Sequence, residues 1–126
     1  MLSNWDPKLE SMLSDADLSS SKFLAVKSSG NSDIALCGAG EAAIGVLTTD
    51  VYDGSTTARR NTVQTGGTVK IYAGGTCTRG ALLMVDSNGK AVDATDGNYA
   101  IGLCKHTAAN GELTLVDFAV SYLETT

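Results

Sequence analysis

The chain has 126 residues, of which 43% are hydrophobic and 18% are charged, so it can bury a core and is too apolar to be disordered throughout. Its formal net charge at pH 7 is −5. A nucleic-acid-binding protein needs clustered Lys and Arg to neutralise phosphates, and the acidic balance therefore argues against that class. Fourteen glycines beside a single proline indicate many tight turns, in one domain or in one domain with an arm.

The first region in chain order, residues 1–21, is acidic, rich in serine and poor in β-branched residues. Its apolar side chains fall at helical spacing, at Leu9, Met12, Leu13 and Ala16. A helix of this length is not stable alone in water, so we predict an N-terminal arm, extended or forming a short helix, that a partner orders. A lone Trp in a polar segment is a natural anchor for a partner's pocket. The predicted partner contacts of the arm are Trp5, Leu9, Met12 and Leu13.

The second region, residues 22–126, consists of short runs rich in Val, Ile, Leu, Thr and Tyr, separated by turns that contain glycine. This spacing predicts an all-β fold, a small barrel-like or sandwich-like domain. The predicted strands are Phe23–Lys27, Asp33–Cys37, Ile44–Thr49, Thr56–Gln64, Thr68–Ala73, Leu82–Asp86, Ala91–Ala94, Tyr99–Thr107 and Leu113–Tyr122. The last of them has apolar residues on both faces, so either it crosses the centre of the fold or its outer face meets a partner.

Between the second and third predicted strands, the sequence CGAGEAAIG resembles a dinucleotide-binding fingerprint, since Gly38, Gly40 and Ala43 spell GxGxxA. Dinucleotide binding requires a helix that begins at the loop and holds a pyrophosphate at its N-terminus. The residues that follow read as a strand. We therefore interpret the segment as a plain glycine loop.

Acidic residues further along the chain suggest calcium, since Asp86, Asn88, Asp93 and Asp96 lie close together. The spacing of an EF-hand fails because Gly89 comes too early, and two adjacent hairpin turns explain the same residues. We predict no metal site here.

Lys90 lies at or beside the tip of a hairpin, which is how lipoyl and biotinyl carrier domains present their modified lysine. The resemblance is one of geometry only, because Gly89 and Ala91 flank the lysine in place of the expected Met or Asp. A carrier domain modified on Lys90 stays an alternative.

Residues for nucleophilic or redox catalysis are scarce. His106 is the sole histidine, and the chain contains neither a GxSxG motif nor a Cys-x-x-Cys pair. Cys37, Cys77 and Cys104 are odd in number and far apart, so we expect small buried hydrophobes in a reducing compartment. We also expect no secretory signal and no membrane span. The sequence thus predicts a protein that is not an enzyme and has no cofactor.

The only dibasic position is Arg59-Arg60. Two arginines are too few for a nucleic-acid patch, but they can pair with the carboxylates of a partner in a bidentate geometry. Arg59 and Arg60 therefore complete the predicted partner contacts, with a solvated loop as the alternative.

From about Lys22 to its end the chain resembles the small head decoration proteins, or capsid cement proteins, of tailed bacteriophages. The resemblance is carried by the order of three stretches, FLAVKSSGNSDIAL, then GAGEAAIGVLTTDVYDGSTTA, then VKIYAGGTCTRGALLMVDSNGKAVDATDGNYAIGLCKHTAANGELTLVDF. Residues 1–21 depart from the short starts of that family.

The resemblance implies a β-barrel-like or β-tulip-like domain on the outer surface of a phage head, made in the host cytoplasm as a late protein. Its partners would be the major capsid protein and copies of itself, usually in a homotrimer and sometimes in a dimer. It would have no nucleic-acid, membrane or small-molecule partner. A β-sandwich module of a phage tail or fibre, or of an adhesin, stays the second alternative.

Overall fold

The computed structural model describes residues 8–14, 18, 21–30, 33–48 and 59–124, and of Arg59 and Arg60 it describes the backbone. All regular structure in these residues is β. The ten strands are β1 Lys8–Ser14, β2 Ala25–Ser29, β3 Asp33–Leu36, β4 Gly45–Leu47, β5 Arg59–Gly66, β6 Thr68–Tyr72, β7 Leu82–Val85, β8 Ala91–Asp93, β9 Tyr99–Cys104 and β10 Leu113–Tyr122. The all-β fold predicted from the sequence is confirmed.

The strands form two sheets. The first is a closed barrel of order β1-β3-β2-β4-β5, in which β5 pairs back with β1 and the β1–β3 pair is parallel. The second is an open sheet of order β6-β10-β9-β7-β8, and all of its pairs are antiparallel. Open antiparallel sheets bury one face and leave the other free, which is the arrangement found here.

The two sheets are connected directly, because β5 of the barrel continues into β6 of the open sheet through a bend at Gly67. The φ of Gly67 is +76°. A positive φ is readily adopted by glycine, so the chain turns here without strain. Lys8 of β1 pairs with Gly66, and the N–H of Phe118 in β10 donates to the carbonyl of Gly67 at 3.0 Å. The start of β1 and the middle of β10 therefore meet at this bend.

Each sheet has its own hydrophobic cluster. The barrel cluster comprises Leu18, Val26, Ile34, Leu47 and Val63, with Met12 and Ile44 packed against it. The second cluster is larger and lies on the inner face of the open sheet, with Val69, Ile71, Leu83, Ile101 and Val116 among its fully buried members. Ala25 of β2 belongs to this second cluster, so the inner face of the open sheet packs partly against the outside of the barrel.

The nine predicted strands all overlap strands of the structure, although Thr49 of one prediction and residues 56–58 of another lie outside the described residues. β1 was not among them. The helical alternative for Leu9, Met12 and Leu13 is wrong, because these residues pair with Gln64, Asn61 and Arg60 of β5 as an extended strand. Ala16 lies outside the described residues. Hydrogen bonds to a neighbouring strand have overridden a local spacing that suits a helix.

The arm over residues 1–21 stays a prediction as a unit. Residues 8–14 of it belong to the barrel. No helix in the described part of the chain has the length and apolar character needed to cross a membrane.

Candidate partner interface

Asp86 and Asp93, two acidic residues of the segment in which the sequence predicts hairpin turns and no calcium site, accept hydrogen bonds from neighbouring residues. Asp86 Oδ1 accepts the N–H groups of Asn88 and Lys90 at 2.8 and 3.0 Å, which closes the β7–β8 turn. The carboxylate of Asp93 accepts the N–H and the hydroxyl of Thr78 at 2.9 and 2.8 Å. Within the described residues no three His, Cys, Asp or Glu side chains are arranged to hold a metal ion.

The turn that carries Lys90 packs against the barrel. Gly89 is buried, and its carbonyl accepts the N–H of Ala25 at 2.8 Å. Lys90 itself is half-buried. A carrier domain must present its lysine at a free tip that reaches distant active sites, and this position does not favour that alternative.

The glycine loop between β3 and β4 forms no helix and joins the two sheets. The N–H of Gly40 donates to the carbonyl of Val85 at 2.9 Å, and the carbonyl of Gly40 accepts the N–H of Tyr99 at 3.0 Å. Gly40 has a φ of +68°, and a Cβ there would overlap the side chain of Asn98. The fingerprint-like spacing of Gly38, Gly40 and Ala43 therefore reflects a close contact between sheets.

The three cysteines are free and buried in the second cluster. Burial raises the pKa of the Cys37 thiol from its ordinary value of 9.0 to about 11, and that of Cys77 to about 12. A nucleophilic cysteine needs a lowered pKa, so both thiols are in the protonated, unreactive form at neutral pH. The side chain of His106 is exposed, and its backbone carbonyl accepts the hydroxyl of Thr114.

The outer face of the open sheet carries the first candidate interface. We use the name "leucine face" for the four leucines that it presents on three adjacent strands, which are Leu82 of β7, Leu103 of β9, and Leu113 and Leu115 of β10. Leu82 and Leu103 are cross-strand partners and remain 39% and 44% exposed. Exposed leucines that adjoin one another across strands form a continuous apolar surface, which makes this face a candidate for contact with a partner.

The leucine face also has charges of both signs. Asp117 is the cross-strand partner of Leu103, and Lys70 that of Leu115. A partner that covers the face must therefore supply apolar area at its centre and groups of both signs around it.

A second candidate surface lies where the barrel meets β9. An open depression of about 530 Å3, which we call the β2–β9 depression, is lined by Lys27 and Ser28 of β2, by Gly40, Glu41, Ala42 and Ile44 of the β3–β4 loop, and by Tyr99 of β9. The ring of Tyr99 packs edge-on against that of Tyr122, with 5.0 Å between the centroids. Tyrosine is one of the residues enriched among those that dominate the binding energy of interfaces.

An ion pair borders the β2–β9 depression. Lys27 Nζ donates to Glu41 Oε1 at 2.9 Å and to Oε2 at 3.1 Å. The same Oε1 accepts the N–H of Gly38. The hydrogen bond with Lys27 lowers the pKa of Glu41, and that with Glu41 raises the pKa of Lys27. Both groups are exposed, so the pair fixes the loop more than it stabilises the fold.

The predicted partner contacts that lie in described strands are on β1 and β5, which pair with each other in the barrel. Trp5 lies outside the described residues. Leu9 is 55% exposed on β1, whereas Met12 packs against the barrel cluster and Leu13 is half-buried. Arg59 and Arg60 are the first two residues of β5 and are the cross-strand partners of Ser14 and Leu13. Their role in binding a partner stays a prediction.

No motif in the sequence indicates Leu82, Leu103, Tyr99 or Tyr122 as contact residues. The one signal for an outer contact face is the last strand, which includes Tyr122 and has apolar residues on both faces. The structure shows that β10 is paired on both edges, with β6 and β9, and also has an outer face that nothing in the described chain covers.

No model of a protein family matches the sequence, and no curated protein matches it either. Among solved structures, the fold is similar to that of the head fiber gp8.5 N base in bacteriophage phi29, with a TM-score of 0.68 and 20% sequence identity. The similarity covers 93% of this chain and 99% of that chain. At this identity it establishes a shared fold over nearly the full length of both chains.

Proposed function

We propose that this protein is a non-enzymatic structural component of a bacteriophage virion. In this proposal it binds the outer surface of the expanded head and bridges neighbouring subunits of the major capsid protein, with its copies arranged as trimers. The observation that carries the proposal is the fold shared with the base of a phage head fibre over 93% of this chain. The order of strands and turns that resembles capsid cement proteins supports it from the sequence.

The leucine face supports a contact of this kind. Leu82 and Leu103 are exposed on a rigid sheet that is already paired on both sides of β7 and β9. A preformed apolar face loses little conformational freedom when a partner covers it, so less of the burial energy, about 25 cal/mol per Å2, is offset by the cost of ordering the surface.

Stabilisation of a shell then follows from linkage. A protein that binds the assembled, expanded shell and not its separated subunits shifts the equilibrium toward the shell by mass action. Several modest contacts across one seam act as a multivalent clamp.

The proposal is tested by cosedimentation of the purified protein with expanded heads, with unexpanded heads and with tails of the same phage. We expect binding to expanded heads alone. In the variant Leu103→Asp, a charge on the leucine face should weaken that binding by about 2 kcal/mol, which is roughly thirtyfold. Ala109→Asp places the same charge on an exposed loop and is the matched control. Equal binding of the two variants would assign the contact to another surface, and binding to tails would contradict the proposal.

A second candidate function follows from the printed description of the similar structure, which is the base of a head fibre. In that case the domain anchors a fibre to the head. Electron microscopy of intact particles separates the two functions, because a fibre projects outward from a fibre base and does not project from a cement protein.

A further inference from the structure

The chain enters the described fold beside the β2–β9 depression. Lys8 pairs with Gly66 on one side of β5. On the other side of β5, Val46 pairs with Gln64, and two more residues of this antiparallel register place Ile44 across from Gly66. Neighbouring strands lie about 4.8 Å apart, so Lys8 and Ile44 are separated by two such spacings, or about 10 Å.

The β2–β9 depression offers apolar groups to a side chain that arrives from this direction. Ala42 is exposed, Ile44 is half-buried, and Tyr99 is 40% exposed. Ile44 packs against the barrel cluster below, so the floor of the depression is fixed. A space of about 530 Å3 holds an indole ring, and a tryptophan has a large apolar surface to bury.

The residues before Lys8 supply one side chain of this size. The chain contains a single tryptophan, Trp5, which lies three residues before Lys8. An extended chain spans about 3.4 Å per residue, so three residues reach roughly 10 Å from Lys8. That reach equals the separation between Lys8 and Ile44, which lines the depression.

We propose that Trp5 of the same chain docks in the β2–β9 depression, so that the N-terminal segment of residues 1–7 lies across the end of β5 in the free protein. The indole packs on Ile44 and Tyr99, and its N–H faces the Lys27–Glu41 pair at the rim, whose carboxylate is an acceptor. The proposal does not depend on the virion function. It assigns to the depression an occupant from its own chain, which a binding partner must displace if it is to use the same surface.

Because Trp5 is the sole tryptophan, its fluorescence reports on the depression directly. We expect the emission maximum of the folded protein to lie to the blue of that of the denatured protein, and acrylamide quenching to be weaker. In Ala42→Glu, which places a charge in the depression at an exposed position, the emission should shift toward that of the denatured chain. The far-ultraviolet circular dichroism should stay unchanged.

Ala39→Glu is the matched control, since Ala39 is an exposed alanine of the same loop that does not line the depression. We expect it to keep the blue-shifted emission. The proposal would be overturned if the native protein and the denatured chain had the same emission maximum. It would also be overturned if both variants showed an equal red shift. Loss of the blue shift on dilution would overturn it as well, because the occupant would then be the Trp5 of a second copy.

Discussion

The barrel and the open sheet each have five strands, but in the described part of the chain the barrel has no edge strand, whereas the open sheet has two. The barrel closes because β5 pairs with β1, and its interior includes a buried amide, Asn61, whose Nδ2 donates to the hydroxyl of Ser14 at 3.1 Å. The open sheet buries an apolar inner face and exposes Leu82 and Leu103 on the outer one. The barrel therefore pairs each of its strands on both sides, whereas the open sheet leaves apolar area exposed on its outer face.

The two regions nevertheless depend on each other. Ala25 of the barrel is buried in the cluster of the sheet, and its N–H donates to Gly89 in the β7–β8 turn. Gly40 is hydrogen-bonded to Val85 and Tyr99 of the sheet. Contacts of this number across a boundary make cooperative unfolding of both regions the expected behaviour.

Gly102, on the central strand of the open sheet, is the position where we expect a substitution to destabilise the protein most. Its φ is +143°, and a Cβ would overlap the carbonyl of Asp117 on β10. Gly102→Ala should therefore lower the free energy of unfolding by more than about 3 kcal/mol, because the backbone cannot move without breaking the ladder. Gly111→Ala, at a φ of +90° with open space around it, is the control and should cost only about 1 kcal/mol. Urea denaturation measures both, and similar losses would contradict the steric argument.

The next largest effect tests the coupling between the two regions. Leu83 of the sheet and Leu47 of the barrel are both 0% exposed. Truncation of either to Ala should cost about 2–5 kcal/mol, through lost burial and the cavity left behind. We expect one unfolding transition in each variant. Hydrogen exchange would contradict coupling if Leu47→Ala exposed the amides of the barrel while those of Val69 and Val116 stayed protected.

The cysteines give a smaller, pH-dependent effect that is confined to the open sheet. All three belong to its cluster and none to that of the barrel. Since burial raises the pKa of Cys37 to about 11 and of Cys77 to about 12, the unfolded chain releases these protons at lower pH than the folded protein. Their contribution to stability is complete below pH 9 and should be lost as the pH rises toward 11 and 12.

The measurement is thiol labelling at pH 8 together with the pH dependence of unfolding. The native protein should label slowly and the denatured protein at all three cysteines. Rapid labelling of one thiol in the native protein would contradict its burial.

Much of the strand pattern could be predicted from the sequence, because alternation and glycine turns are local. In β6, buried Val69 and Ile71 alternate with exposed Lys70 and Tyr72, as a strand with one free face requires. The turn at Asn88-Gly89 has a positive φ at the glycine, which is the reason for that residue pair.

β1 could not be predicted in the same way. The seven residues Lys8–Ser14 have no alternation of their own, since Lys8, Leu9, Glu10 and Ser11 are all exposed. The strand exists because β5, some fifty residues later in the chain, supplies its hydrogen bonds. The β2–β9 depression could not be predicted either, because Lys27, Ala42 and Tyr99 are far apart in the sequence and come together only when the two sheets pack.

The smallest expected effect lies at the rim of that depression. Glu41→Gln keeps an acceptor for the N–H of Gly38 but removes the ion pair with Lys27. Because the pKa of Glu41 is lowered from 4.5, its contribution is present above pH 4.5 and lost as the pH falls through the lowered value. The pKa of Lys27 is raised from 10.5, so the pair is also lost above that pH. We expect a small decrease in Tm between these limits that vanishes at high salt.

Glu112→Gln is the control, since Glu112 also accepts a backbone N–H, from Ala109, and has no ion pair within the described chain. A salt-dependent change in that variant, or a salt-independent one in Glu41→Gln, would mean that the carboxylate acts through the loop backbone and not through Lys27.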